Sequence, residues 1–406
     1  MVLRQPRPAN ADRAHTPASD RASTAGRRYR PDAIEVAAGS VFGHLDDVVV
    51  PRRAASRPRA VLEDLLARAL SRPPCVVSFS GGRDSSAMLA MAVDVARRHD
   101  LPMPVPVTRR FPHDPASQEQ QWQELVVRHV GIDEWVTLDL TDECDLLGTD
   151  AIGDLRRHGL RWPPAAHTIV PVVKIARGGT VITGEGGDEV FGIRRSTPLR
   201  HLHGGARRRR AALKVLGTSV GTRRSRRWAL ARVFDTELAM RWLSGRGHRA
   251  VTAQWLDHQL AEPLSWPRST RHLAARRSWV LGSATIDAIA HDHAVAMCHP
   301  LLDRAFLAAA SASGAALGPM TRSGAMRELF GHVLPDPVLK RRDKATFNTA
   351  VFGAPSRYFA ESWNGEGVDT DLVRPDALAS AWSEPMPHAG TFLLLQQAWL
   401  HNEARA

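Results

Sequence analysis

One stretch, PCVVSFSGGRDSSAMLAMAVDVARR at residues 74–98, constrains this chain more than any other. A β-branched run behind two prolines reads as a strand over 74–80, and Asp84 to Arg98 carries apolar residues at helical spacing. Ser80-Gly81-Gly82 joins them. Glycines let the backbone approach a ligand, and a helix start offers unpaired N–H groups at the positive end of its dipole. The combination suits a phosphate. The same residues would also make a plain tight turn. Neither GxxxxGK[ST] nor GxGxxG is present, so this is not a Walker loop or a dinucleotide fingerprint.

Asp84 is out of place in such a cradle, because a carboxylate repels a polyphosphate unless a cation lies between them. Mg²⁺ takes one or two carboxylates plus phosphate oxygens. The loop therefore predicts a second acid facing the same ligand. TGEGGDEVFG (183–192) supplies one, again behind an apolar run. In a parallel sheet both loops emerge at the carboxyl ends of strands, where ligands bind. Asp188 is the natural partner of Asp84 for Mg²⁺. Gly184 and Gly186 are expected to bring backbone to the nucleotide, with Glu185 on the opposite side of the turn from Asp188.

The pattern between and around these loops is α/β. PVPVT (104–108) and EWVTLDL (134–140) read as strands, with helices over 61–70, 117–130 and 141–158. Strands alternating with helices predict a parallel sheet. From 251 to 334 the patterns are mostly helical, and a last helix covers 391–404. The expected division is a basic, disordered segment over 1–58, an α/β nucleotide part over 59–192, an Arg-rich insertion over 193–250 and a helical part over 251–406. Within 1–58, one short apolar stretch runs from Ile34 to Val50.

SGGRDSS followed roughly a hundred residues later by TGEGGDEVFG resembles the synthetase half of the asparagine synthetase family. That family's PP-loop reads SGGxDS and its later loop SGEGxDExxxG. HPLLDRAF (299–306) is similar to the family's VPFLDxxF segment, and VLPDPVLKRRDKATFN (333–348) to its LPxxVxxRxKxxF segment. The resemblance implies a PP-loop fold of the adenine nucleotide alpha hydrolase type with a helical C-terminal half. It implies ATP as a substrate, with Mg²⁺, in a two-step reaction, and Ser78, Ser80, Gly81, Gly82 and Ser85 as contacts to the nucleotide. A carboxylate attacks the α-phosphorus to give an acyl-adenylate and pyrophosphate, and an amine or ammonia then displaces AMP. Lys344 maps onto the family's active-site lysine, with Arg341 or Arg342 as further phosphate contacts. Only 4 of the 54 Lys and Arg residues are lysine, which makes a lysine at that place informative. Glu185 stands where asparagine synthetases carry glutamate and β-lactam synthetases tyrosine, and an acid there could bind or deprotonate the amine.

The chain also departs from that pattern. No cysteine precedes Cys75, so the N-terminal nucleophile of glutamine-hydrolysing members is not seen. Free ammonia, a separate glutaminase or an amine on the substrate is then expected to serve. Where the family has a VEARVP-like segment this chain reads VAMCHP, with Ala296 and Cys298 replacing a charged pair. That change points away from aspartate and toward a specialised acid, such as the peptide carboxylate of a lasso-type macrolactam cyclase with its precursor peptide. The net charge of +12 raises a tRNA-modifying PP-loop enzyme as another alternative. Its arginine clusters lie outside the most patterned regions, so nucleic acid is the lesser expectation. Three isolated cysteines and no secretory or membrane-spanning segment fit a reducing cytoplasm.

Overall fold

A computed structural model describes residues 30–52, 54–114, 117–237, 240–313, 316, 318–319, 321–341 and 348–405. Lys344, Arg342 and the first 29 residues of the expected N-terminal segment lie outside the described residues.

Five short strands, β1 (Cys75–Ser78), β2 (Val105–Arg110), β3 (Val136–Asp139), β4 (Thr180–Ile182) and β5 (Ala296–Cys298), form one sheet in the order β3-β2-β1-β4-β5. All its ladders are parallel, with Val76 beside Val105 and Val181. A parallel sheet must be covered on both faces, which is why Val76, Val77, Val181 and Ile182 on its central strands are apolar and buried. One face packs under helices α1 (Pro58–Leu70) and α2 (Arg83–His99), where Val77, Leu66 and Met91 are fully buried. The other face packs Val76 and Val181 against Val172 and Ile289. The fold is thus α/β with a doubly wound parallel sheet, elaborated by a helical C-terminal half.

The chain winds outward from β1 to β3 on one side, then returns to place β4 on the other. The topological switch point lies between β1 and β4, and their carboxyl ends open side by side. Both glycine-rich loops leave the sheet there.

Three expectations need correcting. First, β5 falls inside a stretch read as helical, because three residues are too few to show alternation. Second, the helix expected over 141–158 begins only at Thr149. Asp145 explains the delay. Its carboxylate accepts bonds from the Leu147 N–H (2.7 Å), the Gly353 N–H (2.5 Å) and the Ser356 hydroxyl (2.6 Å), which holds 141–148 in turns. Third, residues 30–52 are not loosely attached. Ala33–Ala38 is a helix opened by a capping box between Asp32 and Glu35. Glu35 is 1% exposed and meets Arg277 through both carboxylate oxygens, while also accepting the Phe42 N–H at 2.9 Å.

The Arg-rich insertion is helical as well, through α3 (Ala206–Ser219) and α4 (Arg223–Glu237). Between Ile193 and Phe234 no Asp or Glu occurs. Some of the arginines are structural: Arg195 donates to the Ser219 and Glu262 carbonyls at 2.9 and 3.0 Å, and Arg194 lies 5.2 Å from the Trp266 ring. Others, including Arg207 to Arg210, face solvent on α3. Among the described residues, no helix is long and apolar enough to cross a membrane.

Two stability predictions follow from the packing of residues 30–52. Removing one partner of a buried ion pair strands the other charge, so Glu35→Ala should cost about 3 kcal/mol, and adding Arg277→Ala should cost little more. Urea unfolding of the two single variants and the double variant checks this; fully additive losses would refute the coupling. The second concerns three stacked imidazoles, with His44 lying 4.7 Å from His258 and 3.8 Å from His272 between ring centroids. Burial, then His272, His258 and Arg276, pushes His44 down to about 3; burial first, then Arg276 and His272, takes His258 to about 4. Both values lie below the unfolded value of 6.5, so the unfolded chain binds protons that the native state refuses. Their contribution to stability is complete above pH 6.5 and is lost as pH falls toward 4 and 3. His44→Gln should flatten the dependence of the urea midpoint on pH across that window.

Candidate active site

Ser80, Gly81 and Gly82 follow β1 directly, and α2 starts at Arg83. Gly81 has φ +85°, which L side chains rarely adopt. The loop is laced to the first turn of α2: the Ser85 hydroxyl donates to the Gly82 carbonyl (3.1 Å), accepts the Ser80 N–H (3.2 Å) and lies 3.0 Å from the Ser80 hydroxyl. The Gly82 N–H is turned onto the Ser80 hydroxyl at 3.2 Å. These bonds shape a cradle whose rim is backbone and serine.

A second layer holds the cradle from behind. Gln123, on the helix Gln120–Val130, donates to the Ser80 carbonyl at 3.0 Å. Arg341 donates to the Gly81 carbonyl at 3.0 Å and makes a bidentate pair with Glu119 at 2.6 and 3.0 Å. Both side chains of the pair are 4% exposed. Arg341 was expected to touch phosphate. Its guanidinium is instead committed to the loop backbone and to Glu119, which makes it a positioning residue.

The second loop leaves β4 and meets the first at van der Waals limits. A Cβ on Gly184 would lie 2.6 Å from the Ser85 nitrogen, and one on Gly187 only 2.2 Å from Asp84 Cγ. The demand for glycine at these positions is thus for contact between the two loops. Gly186 faces Leu302 at 2.2 Å by the same measure, so its lack of a side chain serves packing against the residues after β5. His299, at the end of β5, lies 2.7 Å from the Thr183 hydroxyl, which in turn accepts the Glu185 N–H at 3.3 Å.

Asp84 and Asp188 are brought together as expected, with a cation between them that the sequence did not reveal. Arg322, at the start of the helix Arg322–Phe330, donates Nη2 to Asp84 Oδ2 at 2.6 Å and Nη1 to Asp188. Burial pushes the Asp84 carboxyl above its ordinary value, against the pull of Arg322. Asp84 Oδ1 is buried without a hydrogen-bond partner. A buried carboxylate oxygen left open beside a second carboxylate is what a hard cation would complete, so the donor set fits Mg²⁺. Among the described residues no cluster of three or more His, Cys, Asp or Glu surrounds one point. The remaining ligands to such an ion would be phosphate oxygens and water.

Ser78, Ser80, Gly82, Asp84, Ser85, Gly184, Gly186, Glu185, Asp188, Arg322 and Arg341 line one polar cleft of about 280 Å³. Glu185 sits at its rim with an exposed side chain. Arg109, at the carboxyl end of β2, also lines it, and it was missed because the strand was read as ending at residue 108. Arg322 was missed because it lies far along the chain in a segment with no loop signature of its own.

The protein-family model described as asparagine synthase matches residues 58–402. Among solved structures, an NAD⁺ synthetase from Burkholderia pseudomallei is similar at 17% identity, over 65% of this chain and 96% of that one, with a TM-score of 0.24. No curated protein matches the chain.

The contact between the loops can be tested directly. Gly187→Ala should push Asp84 aside and reduce ATP affinity by about tenfold or more, since small displacements at a reacting centre are costly. Gly205→Ala, where a Cβ meets nothing within 4 Å, should leave affinity unchanged. Equilibrium ATP binding distinguishes them, and equal affinity in both variants would refute the role given to Gly187.

Proposed function

This chain belongs to the asparagine synthase family of ATP-dependent carbon–nitrogen ligases, and on that premise we propose that it activates a carboxylate as an acyl-adenylate and transfers it to an amine. The observation that carries this reading is the pairing of Asp84 and Asp188 on one cation across two abutting loops.

In this reading the triphosphate of ATP lies in the polar cleft, its β- and γ-phosphates over Ser80, Gly82 and the start of α2. Asp84 and Asp188 would hold Mg²⁺, which would supply charge neutralisation for the pyrophosphate that leaves. Arg322, released from the two carboxylates, turns its guanidinium to phosphate oxygens. Arg109, which lines the cleft at the carboxyl end of β2, is assigned to the α-phosphate. A carboxylate oxygen forms a bond to the α-phosphorus as the bond to the bridging oxygen breaks, and that oxygen keeps the electron pair. The amine then attacks the acyl carbon and AMP departs with the carbon–oxygen electron pair. Glu185, exposed at the rim, is assigned the proton that the amine gives up. Lys344 is assigned by resemblance to the developing negative charge.

ATP–pyrophosphate exchange against a panel of carboxylates tests the proposal. Asp84→Ala should lower exchange by about a hundredfold or more, and Asp188→Ala by a comparable factor. Arg322→Ala should raise the KM for ATP with a smaller effect on kcat. Exchange that persists in Asp84→Ala would sink the reading. Turnover that requires tRNA and falls steeply with salt would replace it with the RNA-modifying alternative.

A further inference from the structure

We propose that the carboxylate this enzyme activates is carried on an apolar, otherwise uncharged scaffold, and not on a free amino acid such as aspartate. The inference rests on the amide-ligase reading and concerns what fills the space beside the loops.

The polar cleft does not end at the first loop. Past Ser78, Ser80 and Arg109, which border both spaces, a chamber of about 570 Å³ opens. Its character is the opposite of the cleft. Phe79 and Phe111 line it near the sheet, and Phe234 and Trp255 line it from the helical half, their rings 5.1 Å apart. Gly39 and Phe42 close it from residues 30–52, where Gly39 is pressed against Gly390. Among the described residues, the ionisable groups in its lining are Arg109 and His388; no Asp, Glu or Lys belongs to it.

The nucleoside and the acyl group both extend from the α-phosphorus, at the junction of the two spaces. With the triphosphate in the cleft, both must be accommodated in the chamber. Adenosine brings no charge. A free amino acid would bring an α-ammonium and a second carboxylate. Arg109, already donating to the Thr168 carbonyl at 2.6 Å, could meet the carboxylate. Among the described residues of this lining the ammonium would find no anion, and burying an unpaired charge is strongly unfavourable. An acyl group flanked by neutral amides or hydrocarbon has no such penalty and gains from the aromatic walls. Two sources share that chemistry: the side chain of an Asp or Glu inside a peptide, and a small hydrophobic acid.

Non-hydrolysable acyl-sulfamoyl adenosines read the chamber without turnover. Three probes carry L-aspartyl (β-linked, with free α-groups), the same β-aspartyl group blocked as N-acetyl and phenylalanine amide, and phenylacetyl. Calorimetric titration should give at least tenfold tighter binding for a neutral acyl group than for free aspartyl. The blocked-aspartyl arm ranking first identifies a peptide source, and the phenylacetyl arm ranking first identifies a small acid. Met240 also lines the chamber, and Met240→Trp should erase most of the preference by filling it, whereas Met240→Leu should retain it. Equal binding of all three probes, or tighter binding of free aspartyl, would overturn the inference. Because no chemistry is required, absent pyrophosphate exchange with every acid would count against the ligase reading alone.

Discussion

Everything in this site follows from placing two carboxylates and a phosphate cradle at one point. Asp84 and Asp188 repel each other and repel a triphosphate, and burial of Asp84 adds to the difficulty. Only a cation resolves the conflict. Arg322 bridges both acids. In the proposed reaction a divalent ion takes that place and the guanidinium moves to phosphate. The acids therefore act as a pair, neutralised together by one guanidinium from the helix Arg322–Phe330.

The sheet makes that pairing possible. A chain that simply added strands outward from β1 would separate the two loops by the width of the intervening strands. The reversal of strand order places β4 directly beside β1. Glycines at 184 and 187 then let the loops touch. Behind them, the buried Glu119–Arg341 pair and Gln123 fix the carbonyls of Gly81 and Ser80, so that the cradle does not depend on ligand for its shape.

Sequence patterns were informative where structure is local. The strand–loop–helix at 74–98 carries its own apolar run, turn residues and helical spacing, and its loop could be found without knowing the rest of the fold. Asp188 was legible for a related reason: one misplaced charge demanded another. Arg322 and Arg109 were not, since their roles exist only after helix Arg322–Phe330 and β2 reach the switch point. The N-terminal segment misled because arginine, proline and alanine dominate its composition. A usable signal was present in Asp32-Ala33-Ile34-Glu35, the spacing of a capping box, ahead of the apolar Val36 to Phe42. The arginine clusters, discounted as a sign of nucleic acid, divide in the structure: Arg207 to Arg210 face solvent, whereas Arg226 donates to the Thr218 carbonyl at 3.0 Å.

The segment over residues 30–52 has a consequence for specificity. Gly39 and Phe42 close the apolar chamber, and they are held there by Glu35 on Arg277, far from the loops. The first loop is held by contacts within residues 78–123 and by Arg341, and the second by His299 on Thr183 and by Leu302 against Gly186. Two largely independent sets of interactions thus fix the two halves of the proposed site: one the geometry of phosphate transfer, the other the shape of the space beside it. A chain built this way can change the acid it accepts by altering residues 30–52 and the aromatic walls, while the charge arrangement that cleaves ATP stays as it is. The uncharged Ala296 and Cys298 on β5 fit the same division, since they lie on the sheet edge next to the second loop without entering the Asp84–Asp188 pair.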